Sequence, residues 1–328
     1  MPDARSLNPD RALNSDRALN SDRALYADRV RSGLGLETPD PSGAIAVERL
    51  EAAEVGHVAF AAPWKLARVM DRFAERRGFA VPGPDMAEAG EAARAPHAVP
   101  EALFTALWAI VDGAGGGRSA LEFTQATAAL GIHLDPGFRD AQLEVSRRWP
   151  GVAAAAAQGW PEPFTLAQLA SAPAGSLASE FRALIVDNGF DLEVLDRDAL
   201  SLRDLPAPLN YLNARILQVH DLWHLVGGYQ TTGLHEIAIS AFQLAQFGHA
   251  YSAWVLAVTL ASASVEPVRY GVLSGVIAAA WSHGRATPAL LGVDWPSVWA
   301  EPIGTVRERL GVTAFESPWP ADLFERAA

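Results

Sequence analysis

The chain has 328 residues, half of them hydrophobic, which is enough for a sizeable core in one large domain or two small ones. A net charge of −12 and a pI near 5.1 leave no basic footprint for nucleic acid. The absence of cysteine excludes disulfides, thiolate nucleophiles, iron–sulfur clusters and Cys-rich zinc sites.

Residues 1–32 are charged throughout and lack the apolar stretch of a secretory signal. Within them Asp10-Arg11-Ala12-Leu13-Asn14-Ser15 recurs at Asp16 to Ser21, and in part at Asp22 to Leu25. A six-residue period turns Leu13, Leu19 and Leu25 by about 240° each, so no helical stripe forms, and the unit is too short for a solenoid. The expectation is a disordered, repeat-containing tail and linker over 1–43, Gly33 to Gly43 with Pro39 and Pro41 being the linker. A helical extension over 44–99 follows. It holds a helix at 44–54 and another opening at Pro63 and running to Gly78, with Trp64, Val69, Met70 and Phe73 inward. Pro82 to Pro100 reads as loop. Helices come next at 101–112 and 120–130, the second capped by Ser119. Between them, Gly113 to Gly117 has neither a preceding strand nor a Gly-Lys-Ser/Thr ending, so it is read as a turn and not a phosphate loop. Thr165 and Ser176 open helices to about 171 and 187, the second stopped by Asn188-Gly189. Further helices are expected at 268–282 and 297–310. Few runs alternate as strands do, so residues 100–328 are assigned to one all-α, bundle-like domain.

Residues 208–226 form the most informative helix. Leu209, Leu212, Ile216, Val219, Trp223 and Val226 make its apolar stripe, Pro208 suits its first turn, and Gly227-Gly228 stops it. On its shoulder stand His220, Asp221 and His224, with Glu236 following after eleven residues. The short connection from Tyr229 to Gly233 favours an antiparallel pair with a helix starting near Leu234. Glu236 then lies at the height of His224 and closes a two-His, two-carboxylate set between adjacent helices. Zinc, Fe(II), Mn and Co suit such donors; Cu(I) does not. Asp221, adjacent to His220, is either the fourth ligand or a group that orients an imidazole or acts as a catalytic base. His235, about 100° from Glu236, is expected to face solvent, with hydrogen bonding to Glu236 through a neighbour or service as a substitute ligand as the alternatives. Residues 237–265 contain no Asp, Glu, Lys or Arg. They are long enough to span a bilayer, but Ser240, Gln243, Gln246, His249 and Ser252 would need partners in hydrocarbon. A buried core helix is therefore expected, compatible with lining a lipid-tail groove.

This stretch is similar to the coenzyme Q (ubiquinone) biosynthesis protein 4 family. The family's signature, His-Asp-x-x-His, eleven residues, Glu, is met by His220, Asp221, His224 and Glu236. Gly175-Ser176-Leu177 with Glu180-Phe181 extends the resemblance upstream. Gly284-Arg285, Ala286, Leu290, Trp299 and Arg307-Glu308-Arg309-Leu310-Gly311 extend it downstream, over about 103–315. The chain departs from the family at His235, where a small residue is usual, and residues 1 to about 95 have no counterpart. The resemblance implies one divalent metal, zinc or Fe(II), and a polyprenylated hydroxybenzoate-type precursor as substrate. It implies removal of the C1 carboxyl with hydroxylation of that ring carbon, a decarboxylase or lyase chemistry. Gln243 and Gln246 are then candidates for the headgroup. Arg285 is one for the substrate carboxylate, with a surface or structural ion pair as its alternative. The implied partners are the polyprenylated aromatic lipid and other ubiquinone biosynthesis proteins, and a homo-oligomer is compatible. The implied setting is cytoplasmic, with peripheral contact at the inner membrane. A non-catalytic prenyl-lipid-binding scaffold is the alternative. A metal hydrolase is a third reading, in which Asp221 replaces the Glu of His-Glu-x-x-His with shorter reach.

Overall fold

The computed structural model describes residues 9–36, 38, 45–83, 86, 91–114, 119–193 and 195–327. Among them the chain is all-α, as expected, with no strand. In chain order the helices are α1 Pro9–Ser32, α2 Val47–Phe60, α3 Leu66–Glu75, α4 Glu101–Ala114, α5 Ala120–Ala129, α6 Pro136–Ser146, α7 Val152–Ala156, α8 Leu166–Ala170, α9 Leu177–Asn188, α10 Leu209–Gly227, α11 Gly233–Phe247, α12 Ala250–Ala263, α13 Pro267–Ala286 and α14 Ile303–Leu310.

The predicted boundaries hold where capping chemistry is strong. Ser119 and Thr165 each complete a capping box, with Glu122 and Gln168. Ser176 caps α9, which Gly189 ends in the left-handed region at φ 66°. Part of the linker expected over 33–43 and most of the turn at 113–117 lie outside the described residues.

Two expectations are corrected. Residues 9–32 form α1 and not a disordered tail. Of the repeat's leucines whose burial is described, Leu19 is 40% exposed and Leu25 is half-buried. The end of the helix beyond the repeat supplies buried Tyr26, Ala27 and Val30. Arg23 pairs with Asp112, and Asp22 with Arg49, on either side of that seam. The second correction concerns 237–265, which is two helices. Phe247 ends α11, Gly248 turns the backbone at φ 67°, and α12 starts at Ala250. A Cβ on Gly248 would stand 2.1 Å from Trp149 Nε1, so only glycine fits this corner. Both halves are core, as the buried reading required. No helix among the described residues is long and apolar enough to cross a membrane.

The centre of the fold is α11, covered along its length by α13 and flanked by α12. Gly284 of α13 makes this closeness possible: a Cβ there would meet Ala245 Cβ at 2.6 Å and Phe242 O at 2.8 Å. On its other side α12 packs on α2, and α2 on α1. Buried Glu51 ties α2, α3 and α13 together. It receives Arg76 Nε at 3.0 Å, the Arg77 guanidinium and the Tyr270 hydroxyl at 3.0 Å. So many donors around one carboxylate offset the cost of burying its charge.

The contact between α1 and α2 is testable at Gly56, where a Cβ would lie 2.5 Å from Tyr26 Oη and 2.9 Å from Val30 Cγ2. Gly56→Val is expected to cost about 1–3 kcal/mol by overpacking, read as a lower urea midpoint. A midpoint equal to that of the parent chain would show that α1 does not dock there.

Candidate metal centre

Helix α10 runs as predicted, with Leu212, Ile216, Val219, Trp223 and Val226 buried and Leu209 at the margin of the stripe. Its end is held from several directions. Gly228 takes φ 81° and bonds His224 O through its N–H. The Arg307 guanidinium donates to Val226 O at 2.9 Å and Leu225 O at 2.7 Å, satisfying carbonyls that the helix leaves without partners. Phe315 N–H donates to Gly227 O at 2.8 Å. The turn is then fixed by Tyr229, whose ring stacks on Phe315 at 4.5 Å and whose hydroxyl meets His283 Nδ1 at 2.7 Å. Sequence reasoning placed Arg307 in the downstream segment of the family resemblance but assigned it no role.

The expected antiparallel relation of α10 and α11 is present in the order of their contacts. His224 meets Glu236 near the turn, and His220 reaches Gln243 farther along. The pair is joined by side chains and not by close backbones, because α13 and α12 occupy the near faces of α11.

Three of the expected ligands, His220, Asp221 and His224, offer atoms within 4.8 Å of one another, and Glu236 faces the two imidazoles from α11. His220 Nε2 and His224 Nε2 lie 3.2 Å apart. Glu236 places its two oxygens 3.3 Å from His224 Nε2 and 3.4 Å from His220 Nε2. Asp221 Oδ1 is 4.0 Å from His220 Nε2, and Asp221 offers an oxygen within 4.8 Å of both imidazoles. His224 is buried at 1% side-chain exposure, while Glu236 is 45% exposed, so the cluster opens on the Glu236 side.

The donors suit a divalent cation on physical grounds. Two nitrogens at about 2.05 Å from a tetrahedral ion are about 3.3 Å apart; the two imidazole Nε2 atoms stand 3.2 Å apart, and each has a different Glu236 oxygen beside it. His224 Nδ1 is buried without a hydrogen-bond partner, in contrast to Nδ1 of His220. Charge in the cluster is strongly coupled. Burial pushes the Glu236 carboxyl up, but the hydrogen bonds and charges of His220 and His224 outweigh it and hold Glu236 well below the carboxylate range. Burial likewise disfavours the His220 cation, yet Glu236 and Asp221 overcome it and raise that imidazole.

The remaining candidates fall in different places. Gln243 is 3% exposed and its amide meets His220 Nδ1 at 2.6 Å, so it touches the cluster from the protein side. Gln246 is turned away: its amide donates to Gly284 O and Thr287 O and accepts from Leu290 N–H, which locks α11 to the end of α13. Arg285 faces Asp71, 3.4 Å away, with its side chain 4% exposed, matching the ion-pair alternative. His235 is corrected. It is buried, not solvent-facing, because the first turn of α11 directs it onto Tyr229 and Phe315. Its Nδ1 accepts the Gln230 N–H at 2.9 Å, and burial lowers its pKa.

Fold and site together define an all-α protein with a His–carboxylate cluster at the joint of two helices. Residues 161–316, just under half the chain, match the family model described as coenzyme Q (ubiquinone) biosynthesis protein Coq4. The human mitochondrial ubiquinone biosynthesis protein COQ4 homolog is 30% identical over 163 residues, 45% of this chain and 55% of that protein. Its Mus musculus counterpart is 28% identical over 162 residues, 45% and 54% of the two chains. The chain thus spans about half the length of the curated relatives it matches. A crystal structure described as a ubiquinone biosynthesis protein from Nostoc punctiforme PCC 73102 is similar in fold, with a TM-score of 0.50. At 23% identity it covers 65% of this chain and 98% of that one.

The coupling sets a pH dependence in chelator-treated protein. The depressed Glu236 stabilises above its unfolded value of about 4.3 and loses that contribution as pH falls through the folded value. The raised His220 contributes fully below about 6.5 and loses its share as pH rises through the folded value. The melting-temperature gap between the parent chain and Glu236→Gln should therefore be widest between those limits and shrink in alkaline buffer. A gap independent of pH would show that the ion pair does not form.

His235→Ala is expected to cost about 1–3 kcal/mol through lost packing, measured by urea unfolding, with zinc affinity held near that of the parent chain. A tenfold or greater loss of affinity would instead make His235 part of the cluster.

Proposed function

We propose that the chain acts in ubiquinone biosynthesis as a metal-dependent enzyme. One divalent cation would be held by His220, His224 and Glu236, with Asp221 as a fourth ligand or as the group beside them that accepts a proton. The substrate class is a polyprenylated hydroxybenzoate-type precursor. The observation that carries this reading is the meeting of His220 Nε2 and His224 Nε2, 3.2 Å apart, with the two Glu236 oxygens, one 3.3 Å from His224 and the other 3.4 Å from His220, in a region that matches the Coq4 family model. When bound, zinc would supply Lewis-acid polarisation, and Fe(II) would add redox chemistry.

The chain's own residues prepare for this in opposite ways. Glu236, held ionised, needs no proton removed before it can ligate. His220, with its raised pKa, must give up a proton, so cation affinity should rise with pH. Asp221, partly exposed beside His220, is placed to take a proton from substrate or to orient the ring. In the proposed reaction the ring carbon loses its carboxyl as carbon dioxide and gains a hydroxyl. This is a two-electron oxidation; dioxygen supplies the hydroxyl oxygen, and a two-electron donor reduces the second oxygen atom to water. The lipid would be met at the membrane surface, with other proteins of the pathway as partners.

The full chain purified without chelator is expected to carry a divalent metal, near one per chain by elemental analysis. His220→Ala and His224→Ala should lose it, and Glu236→Ala should weaken it. Metal-loaded protein given a prenylated, C1-carboxylated precursor should release carbon dioxide in the presence of dioxygen and a reductant, and not without dioxygen. Metal bound with no carbon dioxide under any condition would transfer the assignment to the scaffold reading. Absence of metal, with no binding on titration, would sink the centre itself.

A further inference from the structure

Behind the cluster, away from its open side, three buried polar groups follow His220 in series. The Gln243 amide touches His220 Nδ1 at 2.6 Å. The Ser252 hydroxyl donates to Gln243 Oε1 at 3.3 Å, and His249 Nδ1 meets Ser252 Oγ at 3.0 Å. Gln243 is 3%, Ser252 0% and His249 8% exposed. The series crosses from α11 to α12 over the Gly248 corner, so the break in the apolar stretch 237–265 is what brings Ser252 and His249 back toward Gln243. Polar groups buried this deeply are costly unless each finds a complementary partner.

The series is complementary in two polarities. As arranged, His249 Nδ1–H donates to Ser252, Ser252 donates to Gln243 Oε1, and the Gln243 amide N–H donates to His220 Nδ1. Neutral His220 then carries its proton on Nε2, directed at Glu236, and has no lone pair there for a cation. A half-turn of the carboxamide exchanges its oxygen and nitrogen without changing its shape. His220 Nδ1–H then donates to Gln243 Oε1, the amide donates to Ser252, and Ser252 donates to His249 Nδ1. Only this second polarity leaves the Nε2 lone pair of His220 free to ligate.

We propose that Gln243, Ser252 and His249 form a reversible hydrogen-bonded chain that sets the tautomer of His220, and that cation binding at Nε2 reverses its polarity as far as His249. Gln243 is a positioning residue in this arrangement and not a contact for the substrate headgroup. The inference rests on the metal reading of the same cluster, but its far end can be observed without metal. Burial, with the neighbouring His220 charge, pushes the His249 pKa down to about 3, so this ring is neutral and its tautomer is defined.

The test uses the full chain, its histidine rings labelled with nitrogen-15, and zinc(II) as the probe. Two-bond proton–nitrogen correlation spectra in alkaline buffer, where the metal-free rings are neutral, should show His249 as the Nδ1–H tautomer. Zinc should convert it to Nε2–H, and Ser252→Ala should abolish the response. In competition titrations Gln243→Leu should weaken zinc by about 10- to 100-fold, whereas Gln243→Glu, which keeps an acceptor for Nδ1–H, should stay within about threefold of the parent chain. Thermal melts of the metal-free variants separate these effects from loss of fold. His249 found as Nε2–H in metal-free protein, or unmoved by bound zinc, overturns the chain, as does parent-like affinity in a folded Gln243→Leu. Parent protein that binds no zinc, yet shows the Nδ1–H tautomer at His249 and loses it in Ser252→Ala, keeps the chain and overturns the metal reading instead.

Discussion

Helix α10 ends at Gly228 because the backbone there turns left-handed while Ala314 and Phe315 press against it, 3.0 and 3.1 Å from where a Cβ would stand. A side chain at this position would strain the turn and push away the segment that carries the Phe315 N–H. The stop decides the geometry of the cluster. His224 must lie one turn before the break and Glu236 one turn after it, or their side chains do not meet. Arg307 belongs to the same constraint, since it holds the last carbonyls of α10 from a helix more than eighty residues downstream. The C-terminal segment also reaches the other side of the turn, where Glu325 accepts the Gly233 N–H and Ala321 O accepts the Thr232 hydroxyl.

A second constraint is placed on α11. Close approach by α13 at Gly284 buries one face of α11, and the Gln246 amide spans from that face to Gly284, Thr287 and Leu290. Glu236 and Gln243 therefore project from a helix that cannot roll. The interaction is distributed: small residues permit the approach, and one amide with three partners sets the rotation.

How much of this could be read in the sequence depends on the range of the physics involved. Caps and stops are local, and Ser119, Thr165, Ser176, Gly189 and Gly228 marked helix ends that the structure keeps. Asp135-Pro136 before α6 carried the same kind of signal, an N-cap with proline at the first helical position, and it went unused. The nearness of His220, Asp221, His224 and Glu236 was legible because they stand on two helices joined by a short turn, where rise per residue fixes relative height. The fates of His235, Gln246 and Arg285 were not legible, since each depends on what packs opposite. The N-terminal helix shows the limit most plainly. The hexapeptide period said nothing of docking, because the docking residues Tyr26 and Val30 lie past the repeat, and their partner Gly56 looks from sequence like a helix breaker.

The joint between α10 and α11 brings together helix ends of opposite polarity. The C-terminal end of a helix carries partial negative charge from its carbonyls, and the N-terminal end carries partial positive charge from its amides. His224 sits in the last turn of α10, and Glu236 in the first turn of α11. Each ligand type occupies the end whose macrodipole favours it: an imidazolium or bound cation near carbonyls, a carboxylate near amides. Exchanging the two, glutamate at 224 and histidine at 236, would keep the number and kind of donors but set both against the local field. The order of residue types in the motif is therefore part of its electrostatics as well as its geometry.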